Sequence, residues 1–352
     1  MTPKVSIVIV NYETAAYLPR CLGSLAAQSY PNYEVILVDN SPGDGAAEYV
    51  AEHYPDVIVL RSETNLGYAG GNNLGFRHAT GDYVAVLNPD TWVDPDWLSE
   101  LVQALEGDPA AGLATPKILL MDDPSRVNTC GNAITFTGIT VCRGLGQPAD
   151  RYDAVEIVSA VSGAAFLIRR ALLAEIGAFD DEFFLYYEDT DLSLRAMLAG
   201  YHCLYVPTSI VHHKYVFKFS ALKCYYQERN RYLSLLRTLR WRTLFALAPC
   251  LLASEAIAWA YVLLSGREHA RSKLRSYGWL LRHRRRILAA RRVIQANRRV
   301  DDGVLLQRFS ARLSFTQTIG DRPATIVEPT VNGFLLVLSR MGRALATSGA
   351  GR

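Results

Sequence analysis

Four short runs of β-branched and aliphatic residues, at 5–10, 34–39, 57–60 and 83–87, recur along the front of this chain, each separated from the next by a segment long enough for a helix. A strand that is apolar throughout must be buried on both faces, and parallel strands joined by crossover helices provide that burial. The intervening segments agree. Within residues 15–28, Leu18, Cys21, Leu22 and Leu25 fall on one helical face and Pro31 closes the segment; residues 45–53 are also helix-sized. The sequence therefore predicts a doubly wound, mostly parallel α/β sheet, and in such sheets ligands gather outside the carboxyl ends of the strands.

Further along, residues 97–105 read as a helix ended near Gly107 and Pro109, and residues 114–160 as an irregular, partly antiparallel extension rich in Gly, Thr and Asn. A small strand at 163–168, a short helix at 170–176 and a helix at 189–199 stopped by Gly200 follow. From Ser220 long helical patterns dominate. The expected division is a sheet domain over 1–220, a helical, basic, membrane-associating region over 221–300, and a tail over 301–352 whose only legible feature is an amphipathic pattern at 333–345.

The formal net charge of +3 hides a partition. Residues 1–191 carry 10 basic and 27 acidic side chains, residues 192–352 carry 27 basic and 7 acidic. A nucleic-acid binder would place its bases on the recognition fold, so that class is excluded. The 21 residues 244–264 hold one charge, Glu255, and one proline, Pro249. Length permits a span, whereas the central Glu and Pro favour a helix packed on protein or lying in the membrane interface; both remain open. Residues 267–299 then hold 12 Lys and Arg against Glu268, the pattern of an anchor on an anionic membrane surface. The six cysteines form no C-x-x-C pair and read as buried thiols in a reducing compartment. The N-terminus carries no secretion-signal pattern, so the expected location is cytoplasmic and peripheral on the inner face of the cell membrane.

Polar residues close three of the strands: Asn11-Tyr12-Glu13, Asp39-Asn40-Ser41 and Asn88-Pro89-Asp90. An Asp after a strand is commonly a turn residue or helix cap, but three such ends in one parallel sheet converge on one edge. Between the second and third ends lies a segment running from Asn65 through Gly67, Gly70 and Asn72, whose glycines allow close backbone approach and whose amides can face a diphosphate or sugar hydroxyls. A turn leading into a helix fits it equally. Residues 183–192 put Glu188, Asp189 and Asp191 behind a run of aromatics at a helix start; first-turn acids explain one or two of them.

The stretches VSIVIVNYE, VDNS, NLGYAGGNN, LNPD and YEDTDL stand in the order seen in inverting nucleotide-sugar glycosyltransferases of the GT-A fold, family 2, and over residues 3–240 the chain most resembles the subgroup that transfers rhamnose or a related sugar to lipid-linked or polysaccharide acceptors. The resemblance implies a GT-A type sheet, a UDP- or dTDP-sugar donor, and a cell-envelope acceptor. Asp39 would accept from the base imide, with Asn11, Glu13 and Asn40 beside base and ribose, and Asn65, Gly67, Gly70, Asn72 and Asn88 lining the donor site. Mg2+ or Mn2+ would be held by Asp90 and by His212, with His213 as alternate. Asp189 would be the base, and Glu188 and Asp191 would position substrate or bind Arg195. The sequence departs from the family's paired metal acids at Asn88, which offers only a neutral oxygen. That departure is the best support for a second reading, an inactive membrane-bound sugar-binding or scaffold protein of the same fold. A nucleotidyltransferase is disfavoured, since Lys4 and Arg20 are poorly placed for a triphosphate.

Overall fold

The computed structural model describes residues 2–41, 43–216, 218–312 and 321–347. Strands β1 (Val5–Asn11), β2 (Tyr33–Asp39), β3 (Ile58–Arg61) and β4 (Tyr83–Leu87) pair in parallel in the order β3-β2-β1-β4. They are joined by α1 (Leu18–Ala26), α2 (Ala46–His53) and α3 (Gly67–His78). Strand alternation sorts these helices into layers. Val5, Ile7 and Ile9 of β1 enter one core with Leu18, Cys21, Leu22 and Leu25 of α1 and Ala46 and Val50 of α2. Val8 and Val10 face the other way, against Gly75 and Gly71 of α3, where any Cβ would overlap the valine side chains. The chain path reverses between β3 and β4, so a crevice opens outside the carboxyl ends of β1 and β4.

Beyond β4 the chain runs through β5 (Thr91–Val93), α4 (Trp97–Gly107), β6 (Ala111–Leu120), β7 (Asp123–Thr129) and a separate two-stranded pair, β8 (Asn132–Ile134) with β9 (Thr140–Cys142). Then come β10 (Glu156–Val158), β11 (Ala165–Arg169), α5 (Arg170–Ile176), α6 (Glu188–Leu198) and β12 (His202–His213). The main sheet has the order β10-β12-β6-β11-β4-β1-β2-β3. It is mixed: β11 runs antiparallel between β4 and β6, while β12 is parallel to β6. The parallel arrangement expected from the sequence is thus confined to four strands and one further pair, because an antiparallel neighbour needs no crossover helix and residues 114–160 supply none. The long β12 carries both His212 and His213 at its end.

The chain forms two compact units rather than the three consecutive segments expected. The sheet unit comprises the chain up to Asn132, Cys142–Ala196 and Tyr201–Tyr215. The helical unit takes Ala133–Val141, Met197–Gly200 and everything from Val216 onward. It contains α7 (Ala221–Thr238), α8 (Trp241–Leu264), α9 (Arg267–Arg282), α10 (Arg284–Ala296), α11 (Asp302–Arg308) and α12 (Asp321–Thr347), the last of which includes the amphipathic stretch seen at 333–345. All six cysteines are free and five are buried.

Candidate active site

Register brings the first two strand ends together, since Asn11 of β1 lies opposite Asp39 of β2. Asn11 is buried and its amide is committed: Nδ2 donates to Asp44 Oδ2 at 2.8 Å and to Asp39 Oδ1 at 3.5 Å, while Oδ1 accepts from Thr14 Oγ1. It sits fully buried beside Asp39, with both ends of its amide engaged by protein groups. Burial pushes the Asp39 carboxyl up, opposed by hydrogen bonds from the Ser41 amide and Asn11. Glu13 stands exposed at a left-handed backbone position, φ 54°.

Asn40 faces the start of α3. Its Nδ2 donates to Asn65 Oδ1 and to the Gly67 carbonyl, both at 3.1 Å, and its Oδ1 accepts from the Leu66 amide at 2.8 Å; Asn65 Oδ1 also accepts from the Gly67 amide. Asn40 and Asn65 form a clamp on the helix start; the buried Asn40 amide is spent on protein, while Asn65 is exposed and takes part through its Oδ1. Gly67, Gly70 and Asn72 belong to α3 itself and are buried. At Gly67, φ is +71° and a Cβ would collide with Phe184; at Gly70 the space is filled by Leu66. Asn72 Nδ2 donates to the Tyr68 carbonyl one turn back. The expected cradle is a helix packed close to its neighbours, and the glycines serve that packing.

At the third strand end, β5 pairs antiparallel with β12, so that His212 lies opposite Trp92 and His213 opposite Thr91. Adjacent residues on a strand face opposite sides, which decides between the two histidines. His212 stacks on Trp92, with ring centroids 3.5 Å apart, and its Nε2 meets Asp94 at 3.1 Å. The expectation that His212 joins Asp90 is corrected: His213 does, with Nε2 3.4 Å from Asp90 Oδ1. His213 Nδ1 donates to Asn128 Oδ1 at 2.8 Å, which leaves the Nε2 lone pair directed at the Asp90 side. A carboxylate and an imidazole nitrogen suit a divalent ion such as Mg2+ or Mn2+. Among the described residues no third His, Cys, Asp or Glu closes a cage around them, so an ion here would complete its shell on substrate oxygens. Asn88 contributes through its backbone, its N–H donating to the Ala164 carbonyl and its carbonyl accepting from Thr91.

The acidic segment begins α6. Asp189 Oδ2 accepts from the Gly163 amide at 2.8 Å and from Asn132 Nδ2 at 3.3 Å, and Oδ1 accepts from the Thr190 amide at 2.6 Å. Burial pushes its carboxyl up against these donors. Glu188 is more deeply buried, with Oε2 lacking a hydrogen-bond partner, and burial together with the charges of Asp189 and Asp191 pushes its carboxyl well above the usual range. Asp191 points elsewhere: its Oδ2 accepts from Arg195 Nε at 2.7 Å, and the guanidinium is also bonded to the carbonyls of Ile176, Gly177 and Ala178. Of the two roles held open for Asp191, the contact seen in the structure is the one with Arg195, made through Oδ2, while Oδ1 is buried without a hydrogen-bond partner.

Three participants escaped the sequence reading. Gly163 donates its amide to Asp189 and accepts the Tyr68 hydroxyl on its carbonyl, while the next residue, Ala164, accepts from Asn88. This turn joins the Asp90 strand end to the Asp189 helix. A Cβ on Gly163 would sit 3.3 Å from Asp189 Oδ2, closer than side chains normally tolerate. Tyr68 is half-buried, and burial of its hydroxyl, with the charges of Glu188, Asp189 and Asp90 beside it, pushes that hydroxyl up. Asn132 completes the set. The signal available beforehand was the Ser-Gly-Ala step ahead of an apolar strand, readable only as a strand start. Backbone strain marks the same place: Phe184, Tyr186 and Tyr187 have φ of 60°, 67° and 73°, a left-handed conformation costly for aromatic residues.

Comparison with known proteins bears on the fold and the family. Residues 6–177 match the model of glycosyl transferase family 2. An N-acetylglucosaminyl-diphospho-decaprenol L-rhamnosyltransferase of Mycobacterium tuberculosis is 30% identical over 239 residues, 61% of this chain and 77% of that one. Among solved structures, Staphylococcus aureus TarS 1–349 superposes with a TM-score of 0.56 at 16% identity, covering 99% of this chain and 92% of that one. GalNAc-T7 with UDP, GalNAc and Mn2+ gives 0.57 at 18% identity, covering 74% of this chain and 51% of that one. These likenesses establish a GT-A type fold with a C-terminal helical region. The chain is a glycosyltransferase and belongs to glycosyl transferase family 2.

Proposed function

We propose that this glycosyltransferase moves a rhamnose-like sugar from a UDP- or dTDP-sugar to a hydroxyl of a lipid-linked or polysaccharide acceptor of the cell envelope, with inversion at the anomeric carbon. The observation that carries the reading is the Gly163–Ala164 turn, which holds the Asp189 carboxylate and the Asp90 strand end in one assembly. The relative from M. tuberculosis, named for a rhamnosyl transfer to a diphospho-lipid, supports the choice of sugar and acceptor. Asp39 accepts the imide N–H of uracil or thymine, a group both bases share. Asp189 takes the proton from the acceptor hydroxyl as its oxygen attacks the anomeric carbon. The hydrogen bonds from Gly163, Asn132 and Thr190 fix the carboxylate for that transfer. A single base and no second enzymic nucleophile give inversion. Asp90 and His213 would hold Mg2+ or Mn2+, which when bound supplies positive charge to the departing diphosphate. The acceptor's lipid places the protein at the inner face of the cell membrane.

The test is nucleotide release from a panel of UDP- and dTDP-sugars with a diphospho-lipid acceptor, with and without EDTA. One donor should respond strongly and EDTA should abolish the response. Asp189→Asn should lower turnover roughly 10²–10⁴-fold while donor affinity is retained. Near-normal turnover in that variant would remove Asp189 from the reaction. Absence of transfer from every donor, with donor binding intact, would favour the sugar-binding scaffold that the neutral Asn88 allows.

A further inference from the structure

The helix α8 is assembled inside out. Its buried face carries Thr243, Cys250 and Ser254 with Leu247 and Val262. Its exposed face reads Phe245, Pro249, Leu252, Ala256, Ala260 and Leu263, a stripe spaced at helical intervals with no polar side chain. Phe245 is 75% exposed, Leu252 71% and Leu263 63%. A helix in water turns its apolar stripe inward, and a long exposed apolar surface marks a contact with something else. The neighbouring α12, packed against α8, repeats the pattern: Leu335 and Ser339 are buried while Phe334, Val337, Met341 and Leu345 are exposed.

The orientation of α8 is fixed from its polar side. Glu255 accepts from Arg231 Nη2 and Lys273 Nζ, both at 2.8 Å, and from the hydroxyls of Tyr232 and Tyr277. Arg231 and Lys273 are themselves fully buried and also reach Glu228. Burial alone would raise the Glu255 carboxyl, but the hydrogen bonds from Lys273, Tyr232 and Tyr277 and the Arg231 charge outweigh it and hold it at about 2. Rolling α8 to hide its leucines would strand these charges in the interior, so the apolar stripe stays outward.

From these observations we infer that the exposed faces of α8 and α12 lie in the interfacial layer of an anionic membrane, with α8 along the surface and not across it. Charge selects lipid over a second copy of the chain. From Val216 onward there are 25 Lys and Arg against 7 Asp and Glu, so pairing two such units would oppose like charges, whereas an anionic leaflet neutralises them. On α9, which packs against α8, Arg267, Arg271, Arg275 and Arg282 share a helical face with the exposed Leu274 and Leu281, the composition of a helix resting on anionic headgroups. The charged residues of α7 and α9 that grip α8 would be dragged into hydrocarbon if α8 crossed the bilayer. That the same membrane carries the acceptor rests on the proposed reaction above; the exposed face and its charge do not.

The experiment is flotation of the full chain with vesicles of phosphatidylcholine alone or mixed 3:1 with phosphatidylglycerol. Wild type should float with the mixed vesicles and be released by alkaline carbonate. The pair Phe245→Glu and Leu252→Glu should lower the bound fraction at least 10-fold while circular dichroism and turnover of a soluble acceptor analogue stay at wild-type level. Arg271→Ser with Arg275→Ser should make binding fail at lower salt. Equal flotation of the Glu variant, wild type remaining at the bottom of the gradient, resistance to carbonate, or a dimer that the Glu variant splits without changing flotation would each overturn the inference. Flotation with no sugar transfer from any donor would sink the proposed reaction and leave the membrane face standing.

Discussion

His212 and His213 are neighbours in the chain with separate environments, and each can be tested alone. His213→Ala should raise the Mn2+ concentration needed for half-maximal donor turnover about 10-fold or more, the scale of losing one ligand or its support. His212→Ala should leave that concentration unchanged and lower the melting temperature instead, because His212 packs on Trp92 beside Asp94. Glu188 allows a prediction in pH. Its folded carboxyl is raised by burial and by Asp189 and Asp191, so between the ordinary carboxylate range and the raised folded value the native state binds more protons than the unfolded chain. Stability therefore falls as pH rises through that window. Glu188→Gln should melt above wild type at neutral pH, by about 2–4 °C for each kcal/mol relieved, with the gap closing as the pH is lowered toward 4. At this scale the sequence was legible for Asp39, Asp90 and Asp189, whose positions follow from strand ends and a helix start. It was not legible for Gly163 or Asn132, since a backbone amide and a remote amide side chain acquire a role only when strands far apart in sequence are paired.

The unit that positions the site is the α3 start against the 183–187 segment. Gly67 lies under Phe184, and the Ala69 amide donates to the Phe184 carbonyl at 3.2 Å. Asn40, the residue after Asp39, clamps the same helix start, so one contiguous set of contacts runs from the end of β2 to the strained aromatics that precede Glu188 and Asp189. Gly67→Ala combines a left-handed backbone with a collision, and should cost about 2–4 kcal/mol. Denaturant titration reads this, and surviving variant enzyme should show a lower kcat because the carboxylates ride on the displaced segment. The existence of α1, α2, α4 and α6 was readable from periodicity. The function of the glycines in α3 was not, because glycine spacing alone does not say whether the close neighbour is a phosphate or a valine.

For the whole molecule, the parallel start of the sheet was legible and its antiparallel half was not, since 114–160 offers short, weakly patterned strands whose pairing is set by partners elsewhere in the chain. The charge partition survives folding in an altered form. The basic half is one helical unit together with a hairpin taken from the front, and part of its charge is consumed internally, as at Lys273 and Arg231. Glu255, which in the sequence weakens the case for a spanning helix, is in the structure the residue that fixes which way α8 faces. Sequence drift in relatives that share this helix should therefore run in reverse of the usual rule. Its outward positions, such as 245 and 252, should exchange freely among aliphatic and aromatic residues and reject charge, while the inward positions 254 and 255 admit no hydrophobic replacement unless residues 231 and 273 lose their charge together.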